Sequence, residues 1–378
     1  MAQKYLPTTK AYSTTDLGDL SINDMLHYFE ARGALRVSDL HIKTGSPPAY
    51  RIDGDLIKLK GPKVTAEVAK QLIYPLLSEQ NLAKLEANLS VDCSHRVGSL
   101  QFRINIFMEN DGVAAAIRAL SLDIPKIDDI GFPNDVWKSI VTRKQGLVLL
   151  TGITGAGKST TIASLIDRIS ETSARRIITI EDPIEYLFPQ KNCMISQREV
   201  GRDCKGFLGG LKEMLREDPD IVFVGEMRDP ETILMTLMAA ETGHLVFSTL
   251  HTRDTTGTVT RILDYFPTGR QAEVRNQLSL GLAYIISQKL VPRKDGEGRV
   301  VAMEILNNNF ACANLIRTGK IEQLYSQLQT KTRNKPDENM ITLESHLAIL
   351  IKKGMVDLNE AIKWVGNPNL LTDAMGRV

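Results

Sequence analysis

Gly146-Leu-Val-Leu-Leu-Thr151-Gly152-Ile-Thr154-Gly155-Ala156-Gly157-Lys158-Ser159-Thr160 runs from an apolar stretch, through a glycine-rich turn, into a segment from Ser159 to Ile169 with helical spacing. The turn fits G-x-x-x-x-G-K-[ST], a pattern that needs a strand before it and a helix after it. Its glycines let successive backbone N–H groups point at a β-phosphate, while the helix that follows presents its positive end. Lys158 is of a length to reach β- and γ-oxygens, and Ser159 offers a hydroxyl to Mg²⁺. The expected contacts to a nucleoside triphosphate are therefore Gly152, Thr154, Gly155, Ala156, Gly157, Lys158, Ser159 and Thr160.

Working outward, Leu147 to Thr151, Arg176 to Glu181, Ile221 to Gly225 and Leu245 to Leu250 are short apolar runs alternating with helical segments. Strands buried on both faces imply a parallel sheet covered by helices, with ligands bound at the carboxyl ends. After about residue 285 the chain reads as mostly helical, with a polar insert from Lys331 to Asn339 as an exposed loop. Upstream, residues 1–20 read as a mobile tail. Ser21 with Asp24 marks a helix start running to about Arg32. Ser38-Asp-Leu-His-Ile and Ala49 to Leu59 are β-type runs, the second turned at Asp53-Gly54. Thr65 to Asn88 has helical spacing of one or two helices, and Val91 to Ser94, Leu100 to Met108 and Gly112 to Leu120 alternate like strands. The fold class is α/β, with an α+β domain over 21–121, a connection over 122–134 carrying Pro125, Gly131 and Pro133, and a P-loop domain over 135–378.

Lysine and arginine number 46 against 45 aspartates and glutamates, which removes the simplest electrostatic case for nucleic acid, and none is expected as a partner. Cys93, Cys193, Cys204 and Cys312 are scattered without a C-x-x-C pair, so neither a disulfide framework nor a zinc site is indicated, as in a reducing cytoplasm. No signal peptide and no apolar window of about 18 residues stands out, so membrane association is expected to be peripheral, through a partner.

Ile221-Val-Phe-Val-Gly225-Glu226 is an apolar strand ending in an acid. Gly225 stands where a Walker B aspartate is usual, which leaves Glu226 to orient Mg²⁺, partly through water; a strand-end acid is as often structural. Glu181, ending a neighbouring strand, is the candidate for aligning or deprotonating the attacking water, and Asp182 and Glu185 fit caps of the next turn. His251 follows the strand Leu245 to Leu250, where an imidazole could hydrogen-bond a γ-phosphate or a catalytic carboxylate, or be purely structural.

Taken in order, the P-loop, Ile180-Glu-Asp-Pro-Ile-Glu185, Val224-Gly-Glu-Met-Arg-Asp229 and Glu241-Thr-Gly-His-Leu-Val-Phe-Ser-Thr-Leu-His251 resemble the secretion ATPase superfamily, and specifically the PilT/PilU-type retraction ATPases of type IV pili. The likeness runs from about residue 22 to 365. It includes Ser38-Asp-Leu-His41, Pro47-Pro48, Phe102-Arg103-Ile-Asn105, Gln197-Arg-Glu-Val200 and Arg216-Glu-Asp-Pro-Asp220. The resemblance implies a PAS-like N-terminal domain, a RecA-like P-loop ATPase domain with a helical C-terminal part, and a ring-shaped homohexamer. It implies Mg²⁺-dependent ATP hydrolysis that powers pilus retraction and twitching motility. It further implies a cytoplasmic protein at the inner face of the membrane, acting on an inner-membrane platform protein, with a paralogous pilus ATPase as a further candidate partner. Arg103 and Arg118 match arginines that approach the phosphates in such proteins, although each also reads as a solvated strand residue. Assembly ATPases carry a longer N-terminal region and a tetracysteine zinc module, so retraction is favoured. The family's Ala-Ile-Arg-Asn-Leu-Ile-Arg segment here reads Ala311-Cys-Ala313-Asn-Leu-Ile-Arg317. That departure at Ala313 leaves open a PilU-like accessory motor, a nucleotide-gated regulator with little turnover, or the ATPase of a related secretion system.

Overall fold

The computed structural model describes residues 5–32, 37–52, 55–98, 100–120, 124–296, 298–334 and 338–376. The chain divides into two compact units, Met1–Asp123 with Pro183–Leu187, and Ile124–Asp182 with Phe188–Val378.

The first unit contains β1 (Tyr12–Thr14), β2 (Gly18–Leu20), α1 (Ile22–Arg32), β3 (Val37–Ile42), β4 (Ala49–Ile52), β5 (Asp55–Lys58), α2 (Ala66–Ile73), α3 (Glu79–Asn88), β6 (Ser90–Val97), β7 (Leu100–Glu109) and β8 (Gly112–Leu120). Six of the strands form an antiparallel sheet in the order β5-β4-β3-β8-β7-β6. The segment expected as a mobile tail instead forms the β1–β2 hairpin, because Tyr12 buries its ring in the core and its hydroxyl donates to Pro62 O at 2.8 Å. Ser21 and Asp24 cap α1 reciprocally, with Ser21 N donating to the Asp24 carboxylate at 2.7 Å and Asp24 N to Ser21 Oγ at 3.2 Å. Between Thr65 and Asn88 there are two helices, each with its own hydroxyl N-cap, Thr65 and Ser78, and Pro75 falls in the short turn between them. The Asp53-Gly54 turn lies outside the described residues; the strands it joins pair with Ile52 opposite Asp55.

The period of two along β7 decides what each face carries. Phe102, Ile104 and Ile106 enter the core, where Phe102 meets Phe29 edge to face at 5.2 Å, and Arg103 is left on the opposite face. Register then brings Arg118 of β8 directly across from Arg103, and Asp39 of β3 directly across from Arg118.

The second unit contains α4 (Val136–Thr142), β9 (Gly146–Thr151), α5 (Lys158–Thr172), β10 (Arg176–Glu181), β11 (Met194–Glu199), α6 (Phe207–Met214), β12 (Ile221–Val224), α7 (Pro230–Glu241), β13 (Leu245–Leu250), α8 (Thr255–Asp264), α9 (Thr268–Gly281), β14 (Leu282–Pro292), β15 (Arg299–Asn307), α10 (Phe310–Thr318), α11 (Leu324–Asn334), α12 (Leu343–Lys352), α13 (Leu358–Ile362) and α14 (Pro368–Met375). Its sheet has the order β11-β10-β12-β13-β9-β14-β15, parallel except for β15. Both faces are covered. Leu147 and Leu149 of β9 join the layer built by α7, α8 and α9, whereas Val148 and Leu150 join the layer built by α4 and α5.

Two further expectations need correction. The chain is not mostly helical from residue 285, because β14 and β15 extend the sheet and the helical region begins only at Phe310. The apolar run of β14 directly continues the helical α9, so periodicity alone hid the change of element. The insert expected as a loop is helical to Asn334 in α11; residues 335–337 lie outside the described residues. Among the described residues no helix is long and apolar enough to cross a membrane.

On α12, His346 is buried and its Nδ1 accepts the Met303 N–H at 2.9 Å. Burial pushes its pKa down to about 4, so the native state holds a neutral ring. An unfolded histidine takes up a proton below its ordinary value of about 6.5, so this contribution is complete above about pH 6.5 and falls away towards pH 4. Going from pH 7 to pH 5 should therefore remove about 2 kcal/mol. Denaturant titrations at the two pH values check this: His346→Gln, which keeps an acceptor for Met303, should show a smaller loss than the parent.

Candidate nucleotide site

The carboxyl ends of four neighbouring strands meet at one edge. Register pairs Thr151 with Leu250, Val224 with Ser248, and Ile180 with Val224, so Gly152, His251, Glu226 and Glu181 all follow at the same end of the sheet. Strand β13 separates the P-loop strand β9 from β12, the strand that leads to Glu226.

The loop backbone explains its glycines. Gly152 has φ 143°, and a Cβ there would sit 2.5 Å from Gln288 O and 2.9 Å from the Ala156 methyl. At Gly155, φ 77°, a Cβ would meet nothing within 4 Å, so the turn has space beside it. Helix α5 opens on Gly157, which supplies no side-chain cap. The N–H groups of a helix's first turn lack intrahelical acceptors, so this end suits an anion. Lys158 is only 8% exposed, and its ammonium donates to Gly152 O at 2.9 Å and Ile153 O at 3.1 Å. Ser159 and Thr160 are half-buried at the helix start. This donor set fits a polyphosphate, and the Ser159 hydroxyl fits a hard divalent cation.

Gly152→Ala should raise the KM for ATP at least tenfold, because the added methyl faces a backbone oxygen and a φ that costs an L-residue about 1–3 kcal/mol. Steady-state turnover against ATP concentration measures this.

Gln288 is a participant the sequence reading missed. It is 1% exposed on β14, and its Nε2 donates to Ala156 O at 3.3 Å, bracing the loop from the next strand. The available signal was a polar triplet, Ser287-Gln288-Lys289, inside an apolar run.

Glu226 lies two residues past β12 and is 18% exposed at its side chain. One carboxylate oxygen pairs with Arg228 Nη2 at 2.7 Å, and the other lies 3.5 Å from His251 Nε2, an ion pair when that ring is protonated. Donation to the Glu226 carboxylate holds the Arg228 guanidinium above its ordinary pKa. The site thus brings Glu226 and His251 together as expected positions, and adds Arg228. Gly225 sits close to the neighbouring strand: its N–H donates to Ile180 O at 2.8 Å, and a Cβ would crowd that oxygen at 3.2 Å. Thr249 Oγ1 donates to Gly225 O at 2.6 Å and Ser248 Oγ to Val224 O at 2.7 Å, which fixes the turn. Asp229 is a helix cap, accepting Thr232 N–H at 2.8 Å at the start of α7.

Glu181 is buried at the end of β10, where its carboxylate accepts from Thr179 Oγ1 at 2.6 Å and Gln197 Nε2 at 3.2 Å. In the first unit, Arg103 and Arg118 are exposed neighbours, and Arg118 Nε donates to Asp39 Oδ1 at 2.8 Å. Burial raises the Asp39 pKa, but the hydrogen bonds from Ser38 and Arg118 outweigh it and keep the group below the usual carboxylate range.

A parallel sheet with a P-loop after one strand and an acid-bearing strand two places away, all at one edge, defines a P-loop nucleoside triphosphatase of the RecA type. The family model described as Type II/IV secretion system protein matches residues 22–320, and the chain belongs to that family. It is 42% identical over 343 residues, 90% of this chain and 97% of the relative, to the type IV pilus retraction ATPase PilT of Pseudomonas aeruginosa. To the type IV pilus ATPase PilU of the same organism it is 33% identical, over 88% of this chain and 86% of the relative. A crystal structure of the pilus retraction motor PilT with bound ADP superposes with a TM-score of 0.83 at 44% identity, covering 94% of this chain and 100% of that one.

Proposed function

We propose that this chain is a motor ATPase that powers type IV pilus retraction, working as a ring of six copies on an inner-membrane platform protein from the cytoplasmic side. The observation that carries the reading is the P-loop and the Glu226–His251 pair at one sheet edge, in a chain 42% identical to a retraction ATPase over nearly its whole length.

The reaction is ATP plus water giving ADP and phosphate. The amides from Gly152 to Thr160 cradle the phosphates and Lys158 neutralises charge on the β- and γ-oxygens. Mg²⁺, when bound, would supply a Lewis acid for the phosphate oxygens, held by Ser159 directly and by Glu226 partly through water. Glu181 positions the attacking water and Glu226 receives its proton. His251, beside Glu226, reports whether the γ-phosphate is present.

In the working assembly Arg103 and Arg118 bring positive charge to the phosphates, where charge spreads over the γ-phosphoryl oxygens in the transition state. Removing Arg103 or Arg118 should then lower kcat by tenfold or more while changing ATP affinity little. Turnover equal to the parent's would return that arginine to the role of a solvated strand residue.

The departure at Ala313, on α10, favours a second reading as an accessory motor beside a paralogous ATPase. The higher identity to PilT, 42% against 33% to PilU, supports independent retraction. Fluorescently labelled pili in cells test the proposal. Retraction should stop when this chain is deleted and return with the intact chain; unchanged retraction in the deletion strain would refute it.

A further inference from the structure

A cleft of about 990 Å³ opens in the second unit between α8, the interior of β14 and β15, α12 and the segment before α14. No P-loop residue lines it, although Thr252, which does, directly follows His251. Ser287 and Lys289 line it, whereas Gln288 between them grips Ala156 on the other side of the strand.

Glu304 of β15 lines the cleft and is only 5% exposed. Its Oε1 accepts from Thr255 N at 2.8 Å and Thr255 Oγ1 at 2.7 Å, and among the described residues its Oε2 receives no hydrogen bond. Beside it Glu344 is 7% exposed, with Oε2 accepting from Tyr325 at 3.0 Å. Lys289, Arg253 and Arg261 also line the cleft; the Lys289 ammonium donates to Trp364 O at 2.8 Å, and burial lowers its pKa. Burial pushes the Glu304 carboxyl up against the two hydrogen bonds from Thr255, and the nearby carboxylates of Asp254 and Glu344 add to the rise. A buried carboxylate is costly until a cation or donors satisfy it. Tyr325 and Trp364 also line the space, and aromatic rings beside carboxylates favour a cation carried on an alkyl stem.

We propose that this cleft is a second ligand site, for an organic cation: an ammonium or guanidinium group on an alkyl stem, held by Glu304 and Glu344 between Tyr325 and Trp364. The cation belongs either to a free polyamine or to a basic side chain, and the chemistry that receives it is the same. The site does not depend on the pilus reading above.

The test uses the full chain. It has two tryptophans, so in a Trp137→Phe background the fluorescence reports Trp364 in the cleft. Titration with spermidine and, separately, with N-acetylarginine methylamide should give a saturable change that sodium chloride at equal ionic strength does not. A tighter response to spermidine identifies a free polyamine, and a tighter response to the arginine amide identifies a side chain. Glu304→Gln and Glu344→Gln keep the oxygens that Thr255 and Tyr325 use but remove the charge, so each should weaken the response about tenfold or more. Circular dichroism and ATP turnover would verify that each variant is folded. No saturable change with either probe, or an undiminished response in both folded variants, would overturn the proposal.

Discussion

Lys158→Ala should lower ATP turnover about a thousandfold or more, the scale on which positioned cations act in phosphoryl transfer. The lysine is buried against its own loop, its ammonium bonded to the carbonyls of Gly152 and Ile153, so it is held within the turn that receives the phosphates. Alanine is a good helix former, so the first turn of α5 should survive. The variant should keep the circular dichroism of the parent while losing phosphate release. Activity within tenfold of the parent would refute the lysine's role.

Glu226→Gln should leave ATP binding near the parent level and slow hydrolysis by about 10²–10⁴-fold, the usual contribution of a positioned acid or base. Glutamine preserves shape and a hydrogen bond for Arg228 but cannot accept a proton from water. ATP should therefore remain bound and unhydrolysed, which filter binding with labelled nucleotide would detect. Rapid release of ADP by this variant would assign the chemistry elsewhere, with Glu181 the next residue to replace. The buried pairing of Glu181 with Thr179 and Gln197 makes it the better candidate for positioning water than for exchanging protons with solvent.

The parts of this site that were legible in the sequence are those built from contiguous residues. Gly152 to Thr160 is one turn with one backbone path, and Val224-Gly225-Glu226 and Leu250-His251 are strand ends whose position follows from a run of apolar residues. Partnerships made across strands were not legible. Gln288 lies 132 positions from Ala156, and only the parallel pairing of β14 with β9 brings its amide to the loop. Asp39 reaches Arg118 across 79 positions through the register of β3 on β8. The missed strands have the same origin. β14 follows α9 with no loop between them and is buried at almost every position, and β11 is an edge strand whose burial does not alternate, so neither carries a clean period of two. Tyr12 was hidden because an aromatic in a polar segment gains its partner, Pro62 O, only after folding.

The most direct measurement is steady-state phosphate release by the purified chain alone, with ATP and magnesium and no partner protein. Sustained release that disappears in Lys158→Ala is the result expected of an independent motor. Tight ATP binding with no release from the intact chain would contradict it and leave a nucleotide-gated regulator in its place.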